Sequence, residues 1–397
     1  MREHVFTDKP ASACYGCQSC AQICPHRAIT MRHNDEGFIY PHIDTEKCVD
    51  CGLCERACPT QETNIASLYH TTPKMVYAAW NRNNAELMES TSGGIFYLLA
   101  RQFLKDGGVV YGVVYGDGLA ARHSRISDIE TLKQTRGSKY MQSDIGLTFR
   151  QVRYDLKNGL RVLYSGTPCQ IAGLRLFLRK PFANLVTIDL VCHGVPSPML
   201  FKLHIKHLET VYSEQITDFK FRAKKLSGWR TYTKYIFKQR KSIYSLLGDD
   251  YYSHAFHIGY FNRMSCYTCA FAQSKRVGDI TLSDFWNAEK CHPELKKARK
   301  YGFNLVMCNT EAGRQLLNAI KEQIECHQYP VESAIQGDIR LRNAEPKPEM
   351  RDKAYKLVQE KGYAYMVTNY GLKQTMFQRL TPMWVINLIR EIQCRLK

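Results

Sequence analysis

Two stretches decide how this chain is read: Cys14-Tyr15-Gly16-Cys17-Gln18-Ser19-Cys20-Ala21-Gln22-Ile23-Cys24-Pro25 and Cys48-Val49-Asp50-Cys51-Gly52-Leu53-Cys54-Glu55-Arg56-Ala57-Cys58-Pro59. Both are C-x2-C-x2-C-x3-C-P, the second a repeat of the first at an offset of 34 residues. One short module is duplicated, which is not the long array of a solenoid. Three closely spaced cysteines in a tight loop supply three thiolates to a cubane [4Fe–4S] cluster, which needs a fourth from elsewhere. Zinc sites come as paired C-x2-C, without a triplet and a trailing Cys-Pro.

Crossed ligation, in which the fourth cysteine of each run serves the other cluster, is the pattern of two-cluster ferredoxins. It assigns Cys14, Cys17, Cys20 and Cys58 to one cluster and Cys48, Cys51, Cys54 and Cys24 to the other. Pro25 and Pro59 turn the chain away after the crossing ligand and remove a backbone donor. The polar segment from Thr60 to Ser67 reads as a linker.

The chain has 397 residues and sixteen cysteines. With no apolar leader after Met1-Arg2-Glu3-His4, a disulfide framework is disfavoured, and the expected location is the cytoplasm. No apolar run approaches the ~18 residues of a membrane span. Three units are expected: 1–70, a ferredoxin domain; 71–330, a body; and 331–397, a helical C-terminal extension.

Strands and helices alternate through the body. Met75–Trp80, Val109–Tyr115, Leu160–Tyr164 and Leu185–Val191 read as strands. A helix with a serine cap is expected from Ile95, and another runs through Leu178. Residues 216–240 look antiparallel. The fold class is therefore α+β (mixed α/β). Near the end, Trp384, Leu388, Ile392 and Leu396 form an apolar stripe among Arg390, Arg395 and Lys397, a basic amphipathic helix over 382–397. It would dock on its own domain, on a partner or peripherally on a membrane surface.

A second group of cysteines is looser: Cys169 and Cys192, each just past a strand, and the pair Cys266 and Cys269. Their spacing allows a third [4Fe–4S] cluster, or two buried thiols with a zinc-like or redox pair. Cys291, Cys308, Cys326 and Cys394 read as inert thiols. Ser92-Gly93-Gly94 at a helix start and Arg136-Gly137-Ser138-Lys139-Tyr140 carry anion-binding chemistry suited to a dinucleotide such as FAD. No G-x-G-x-x-G follows the first strand, and no P-loop, Ser-His-Asp set or H-E-x-x-H is present. His193 adjoins Cys192, where it could tune a cluster or move a proton.

Charge is uneven. The chain carries 55 Lys and Arg against 37 Asp and Glu; residues 1–70 hold six against nine, so the head is −3 and the rest is 49 minus 28, or +21. An acidic head on a basic body calls for an electron-transfer partner protein at the head and an anionic small-molecule donor or substrate at the body. Without a recognition module, nucleic acid is not expected.

The ordered motifs Ser92-Gly93-Gly94-Ile95-Phe96, Gly137-Ser138-Lys139-Tyr140-Met141-Gln142-Ser143, Gly166-Thr167-Pro168-Cys169-Gln170, Cys192-His193-Gly194-Val195-Pro196-Ser197-Pro198, Cys266-Tyr267-Thr268-Cys269 and Gly278-Asp279-Ile280-Thr281-Leu282-Ser283-Asp284-Phe285-Trp286 resemble the coenzyme F420 hydrogenase/dehydrogenase beta-subunit family over about residues 74 to 310. The resemblance implies a flavoprotein with FAD and a cluster held by Cys169, Cys192, Cys266 and Cys269. It implies FAD contacts at Ser92, Gly93, Gly94, Gly137, Ser138, Lys139 and Thr167. Of these, Lys139 is expected to hold negative charge on the reduced ring or the phosphates, the catalytic role. Ser283 departs from the family, where glycine is expected. The function expected is an oxidoreductase coupling hydride chemistry at FAD to one-electron transfer through clusters. The alternative is a relay subunit with no substrate site of its own. F420, ferredoxin and a nicotinamide stay open as partners.

Overall fold

The computed structural model describes residues 9–225, 228–246, 248–286, 288–296 and 298–369. The amphipathic stretch over 382–397 and Cys394 lie outside the described residues, as does the side chain of Cys291.

The head is one antiparallel hairpin, β1 (Ile29–His33) and β2 (Ile39–Ile43), with Ile29 opposite Ile43 and His33 opposite Ile39. The two cysteine runs flank it, each ending in a short helix, Ser19–Ile23 and Leu53–Arg56. Its apolar cluster consists of Ile29 and Ile43 with Cys14, Cys20 and Cys58. So small an apolar set cannot stabilise an independent domain, and metal ligation supplies what the side chains do not.

The body is built on an eight-stranded sheet. In chain order the strands are β3 (Met75–Asn81), β4 (Val109–Tyr115), β5 (Ala121–Ile126), β6 (Val162–Gly166), β7 (Leu185–Leu190), β8 (Ile216–Lys225), β9 (Gly228–Phe237), β10 (Ile243–Leu246), β11 (Ile280–Asp284), β12 (Asn304–Cys308) and β13 (Ile324–Pro330). The large sheet has the order β13-β3-β12-β11-β7-β6-β4-β5. β4, β6, β7 and β11 are parallel. β12 returns against β11 and β3 against β12, so β3 points the same way as the central four. Antiparallel β13 and β5 close the edges.

Parallel strands are covered on both faces, and alternate residues go to opposite cores. Val110 and Leu163 meet Ile95, Leu98, Leu99 and Phe103 of the helix Ile95–Lys105 on one face. Tyr111 and Tyr164 meet Phe149 and Phe177 of the helices Thr148–Lys157 and Pro168–Leu178 on the other. The antiparallel sheet β10-β9-β8 has its own core, which takes in Leu200 and Phe201, Tyr252, and Tyr355, Val358, Tyr363 and Met366 of the C-terminal helices Met350–Lys361 and Tyr363–Asn369. Among the described residues no helix is long and apolar enough to cross a membrane.

Three local expectations change. The segment after Pro59 is not a loose linker: Glu62–Ile65 is helical, Ile65 is buried, and Arg175 donates to Leu68 O at 2.9 Å. Apolar Ile65, Leu68 and Tyr69 packing on the body outweighs the polarity between them. The helix at Ile95 has no serine cap; Gly94, at φ +78°, precedes it, and the Ile95 N–H donates to Asn304 Oδ1 at 3.3 Å. Ser283 sits in regular strand geometry opposite Leu305, so serine is accommodated without strain.

Candidate functional site

Cys14, Cys17, Cys20 and Cys58 line one small cavity together with Tyr15, Gln18, Met31 and Pro41. Burial raises the Cys17 and Cys20 thiols well above the ordinary thiol range, and their neighbours push the same way: Cys58 and Cys14 on Cys17; Cys14, Cys17 and Cys58 on Cys20. Such thiols ionise only with a cation among them, which is the chemistry of cluster ligands. This inner site faces the body. Ser19 donates to Gly173 O at 3.0 Å, Gln18 to Asp144 at 2.7 Å, and Gln142 to Tyr15 O at 3.0 Å.

The other run makes an outer site. Burial raises the Cys54 thiol, and Cys24 and Cys48 act on it as well; Cys51 is exposed, and Val49 beside it keeps 60% of its surface. The two sites share a ligand pattern and differ in solvent access.

The third group is assembled by the sheet. Cys169 follows β6 as the second residue of the helix Pro168–Leu178, which begins with a capping box between Thr167 and Gln170. Cys192 follows β7, the parallel neighbour of β6. Cys266 and Cys269 come from a short 3-10 turn, Met264–Thr268, and its cap. Burial pushes Cys169 up to about 12 and Cys269 up to about 11, and Cys266 well above the thiol range. The Cys192, Cys269 and Cys169 thiols act on Cys266 in addition. All four are partly accessible although protein packs around them. Among the described residues no group of three or more His, Cys, Asp or Glu side chains is set as for a single metal ion; the corners of a cubane stand farther apart. The Cys169 thiol also acts on Cys17, so the third group adjoins the inner site. On the helix of Cys169, four residues on, Gly173 leaves the room that Cys17 fills: a Cβ there would stand 2.9 Å from Cys17 Sγ.

The loops after β3, β6, β7 and β11 all open at the carboxyl edge of the parallel strands, where open α/β sheets bind ligands. The residues singled out for FAD lie along this edge, each with internal bonds. Ser92 Oγ donates to Phe303 O at 2.8 Å. Gly93 packs against Ala79 O and Asn304, where no Cβ fits. The Ser138 N–H donates to Thr91 Oγ1 at 2.9 Å, joining the two glycine-bearing segments. Open space lies beyond Gly137. Lys139 is lowered to about 8 by burial; its Nζ donates to the carbonyls of Gln134 and Gly137 at 3.2 and 3.3 Å and stands 5.0 Å from the Tyr115 ring centre. Thr167 Oγ1 is 3.1 Å from Cys169 Sγ, which puts it with the third group.

The structure adds residues to this edge. Arg222 of β8 pairs with Asp284 and interacts with Tyr140, and Trp286 lies 5.3 Å from its guanidinium. Lys224 donates to Leu87 O and Ser92 O at 2.7 and 2.5 Å, and burial, then Arg222, lowers it to about 7. His193 faces Arg340, Asp284 and Arg222, and burial holds it neutral at about 4. The signal was present as two cations at alternating positions, Arg222 and Lys224, in a strand whose other face is Phe219 and Phe221, but their destination was not.

Residues 159–333 match the family model for the C terminus of the coenzyme F420 hydrogenase/dehydrogenase beta subunit, and residues 13–61 match the 4Fe-4S dicluster domain. Among curated proteins, a probable iron-sulfur subunit of the Frd operon from Proteus vulgaris is 34% identical over 64 residues, 16% of this chain and 38% of that protein. The ferredoxin 7Fe of Hydrogenibacillus schlegelii is 38% identical over 52 residues, 13% of this chain and 54% of that protein. The chain thus spans about half or less of the length of these relatives. Among solved structures, the F420-reducing [NiFe] hydrogenase complex from Methanosarcina barkeri contains a chain 17% identical, with a TM-score of 0.46 over 74% of this chain and 90% of that one. A 4Fe-4S dicluster head is thus joined to a body that matches the C-terminal domain of the coenzyme F420 hydrogenase/dehydrogenase beta subunit, which makes the chain an iron–sulfur protein similar to that family.

Proposed function

We propose that the chain is an oxidoreductase that holds FAD and a third [4Fe–4S] cluster in its body and exchanges single electrons with a partner protein at its head. The observation that carries this reading is the convergence of Cys169, Cys192, Cys266 and Cys269 at the carboxyl edge of β6 and β7, beside Cys17 of the inner head site. The four thiols suit a cubane: they act on one another at close range, and their burial suits them to a bound cationic core. A bound flavin supplies the conversion between two-electron and one-electron chemistry. Gly137, Ser138, Lys139 and Thr167 border its place, and Lys224, together with Arg222 paired to Asp284, lines the same edge for an anionic donor or substrate. Thr167 orients the start of the Cys169 helix, and Gly173 lets the inner site approach it. Cys51, exposed on the outer site, marks where a partner protein would meet the head.

Anaerobic purification with assay of iron, sulfide and flavin per chain tests the reading. The expected result is about twelve irons and one FAD, falling to about eight irons in Cys169→Ala. About eight irons and no flavin in the unaltered protein would discard both the third cluster and the flavin.

A further inference from the structure

We propose that Arg263 is the buried counter-charge of the inner head cluster and sets that cluster's potential. Four arginines are deeply buried where the described residues pack around the sheet edge and the head. Three have carboxylates: Arg276 pairs with Asp189, Arg351 with Glu36, and Arg222 with Asp284. Among the described residues Arg263, with no exposed surface, has none. Its Nε donates to Cys14 O at 2.6 Å, and its two terminal nitrogens donate to Gln142 Oε1 at 3.0 Å and Ile39 O at 2.9 Å. The Tyr40 ring centre lies 4.1 Å from the guanidinium carbon and that of Phe38 5.4 Å.

Every one of these partners is neutral. A buried guanidinium without a compensating anion is strongly disfavoured. Hydrogen bonds and two aromatic faces offset part of that cost and leave the charge unmatched. The missing anion is the group that Cys14, Cys17, Cys20 and Cys58 hold. A cubane on four thiolates is net negative, and reduction adds one more negative charge. Arg263 touches the backbone of one of its ligands. A cation there favours the reduced state and raises the potential.

Its position also makes it directional. Ser265, two residues on, donates to the same Cys14 O at 3.0 Å, and Cys266 of the third group is next in the chain. The charge of Arg263 acts on Cys169 as well. One buried cation therefore reaches both the inner site and the third group. The effect on the third group rests on the proposed third cluster; the effect on the inner cluster does not.

The test is an anaerobic redox titration of the loaded full chain, followed by electron paramagnetic resonance. The signal lost in Cys17→Ala identifies the inner cluster, and the one lost in Cys169→Ala the third. Arg263→Met is expected to lower the inner potential, changing the reduced-to-oxidised ratio at fixed poise by about tenfold or more. Arg263→Lys, which keeps the charge and loses the fork of hydrogen bonds, is expected to shift it less. The outer signal is expected to stay in place. An unmoved inner potential in Arg263→Met, equal shifts for Met and Lys, or an equal shift of the outer signal would overturn the proposal. Should Arg263→Met fail to fold, Arg263→Lys decides alone: a near-native potential supports the counter-charge, and a tenfold change or more refutes it. If no third signal exists, the third cluster is discarded while the inner shift is still read.

Discussion

The two halves of the duplicated head carry one ligand pattern and end in different surroundings. The inner site is buried, is tied to the body through Gln18, Ser19, Tyr15 and Cys14, and has Arg263 against it. The outer site has Cys51 exposed, with Val49 and Asp50 in the same loop. Duplication sets which atoms bind iron; the neighbouring fold sets what each cluster feels. A relay needs this asymmetry, because electrons pass in order only if the sites differ in access and potential.

The largest effect expected from this difference is in paired ligand variants. Cys17→Ala removes a ligand from the site that joins head to body, whereas Cys51→Ala removes one at the surface. Thermal unfolding of the loaded protein should show Cys17→Ala less stable than Cys51→Ala by about 3 kcal/mol. Equal losses would mean that the inner site is no more integrated than the outer.

The next effect is a pH dependence beneath the inner site. His123 is buried, stacked on Tyr164 at 5.3 Å, and 3.2 Å from Ser143 Oγ; its backbone N–H donates to Asp144 O. Gln142 and Asp144, on either side of Ser143, hold the head. Burial lowers His123 from 6.5 to about 4. The unfolded chain therefore takes up the proton first as pH falls. The stability from keeping His123 neutral is fully present above about pH 6.5 and is lost on the way down to about pH 4, by about 3 kcal/mol in all. His123→Gln should flatten the unfolding-midpoint slope over this window. A slope unchanged by the substitution would remove His123 from the account.

The smallest effect belongs to Gly173→Ala. The added methyl would stand 2.9 Å from Cys17 Sγ and 3.1 Å from Cys17 Cβ. Overpacking there should cost about 1–3 kcal/mol and broaden the inner cluster's resonance while sparing the outer one. Equal disturbance of both signals would deny the inner site its close contact with the Cys169 helix.

The dicluster head was legible because its signal is local: four cysteines at fixed spacing fold into a loop whatever surrounds them. The central strands were legible too: Val109–Tyr115 is apolar on both faces, as a covered parallel strand is, and Leu185–Leu190 carries Val186 and Ile188 on one face with buried Thr187 and Asp189 on the other. The segment after Pro59 reads as a linker in the sequence because its few apolar residues matter only once the body offers them a surface. Ser92-Gly93-Gly94 looks like an anion cradle. In the structure Asn304 occupies the first N–H of its helix, and Gly93 packs on Ala79 and Asn304, contacts more than 200 residues apart in the chain for Asn304.

By itself, then, the sequence determined the cysteine runs, their duplication and the alternation of strands and helices, because these depend on short-range spacing and periodicity. Only the tertiary structure decided that Cys169, Cys192, Cys266 and Cys269 meet, that Cys17 stands against the Cys169 helix, and that Arg263 is buried with no carboxylate among the described residues. Those facts depend on strand order and on which loops share an edge, and no local pattern records which distant loop will be a residue's neighbour.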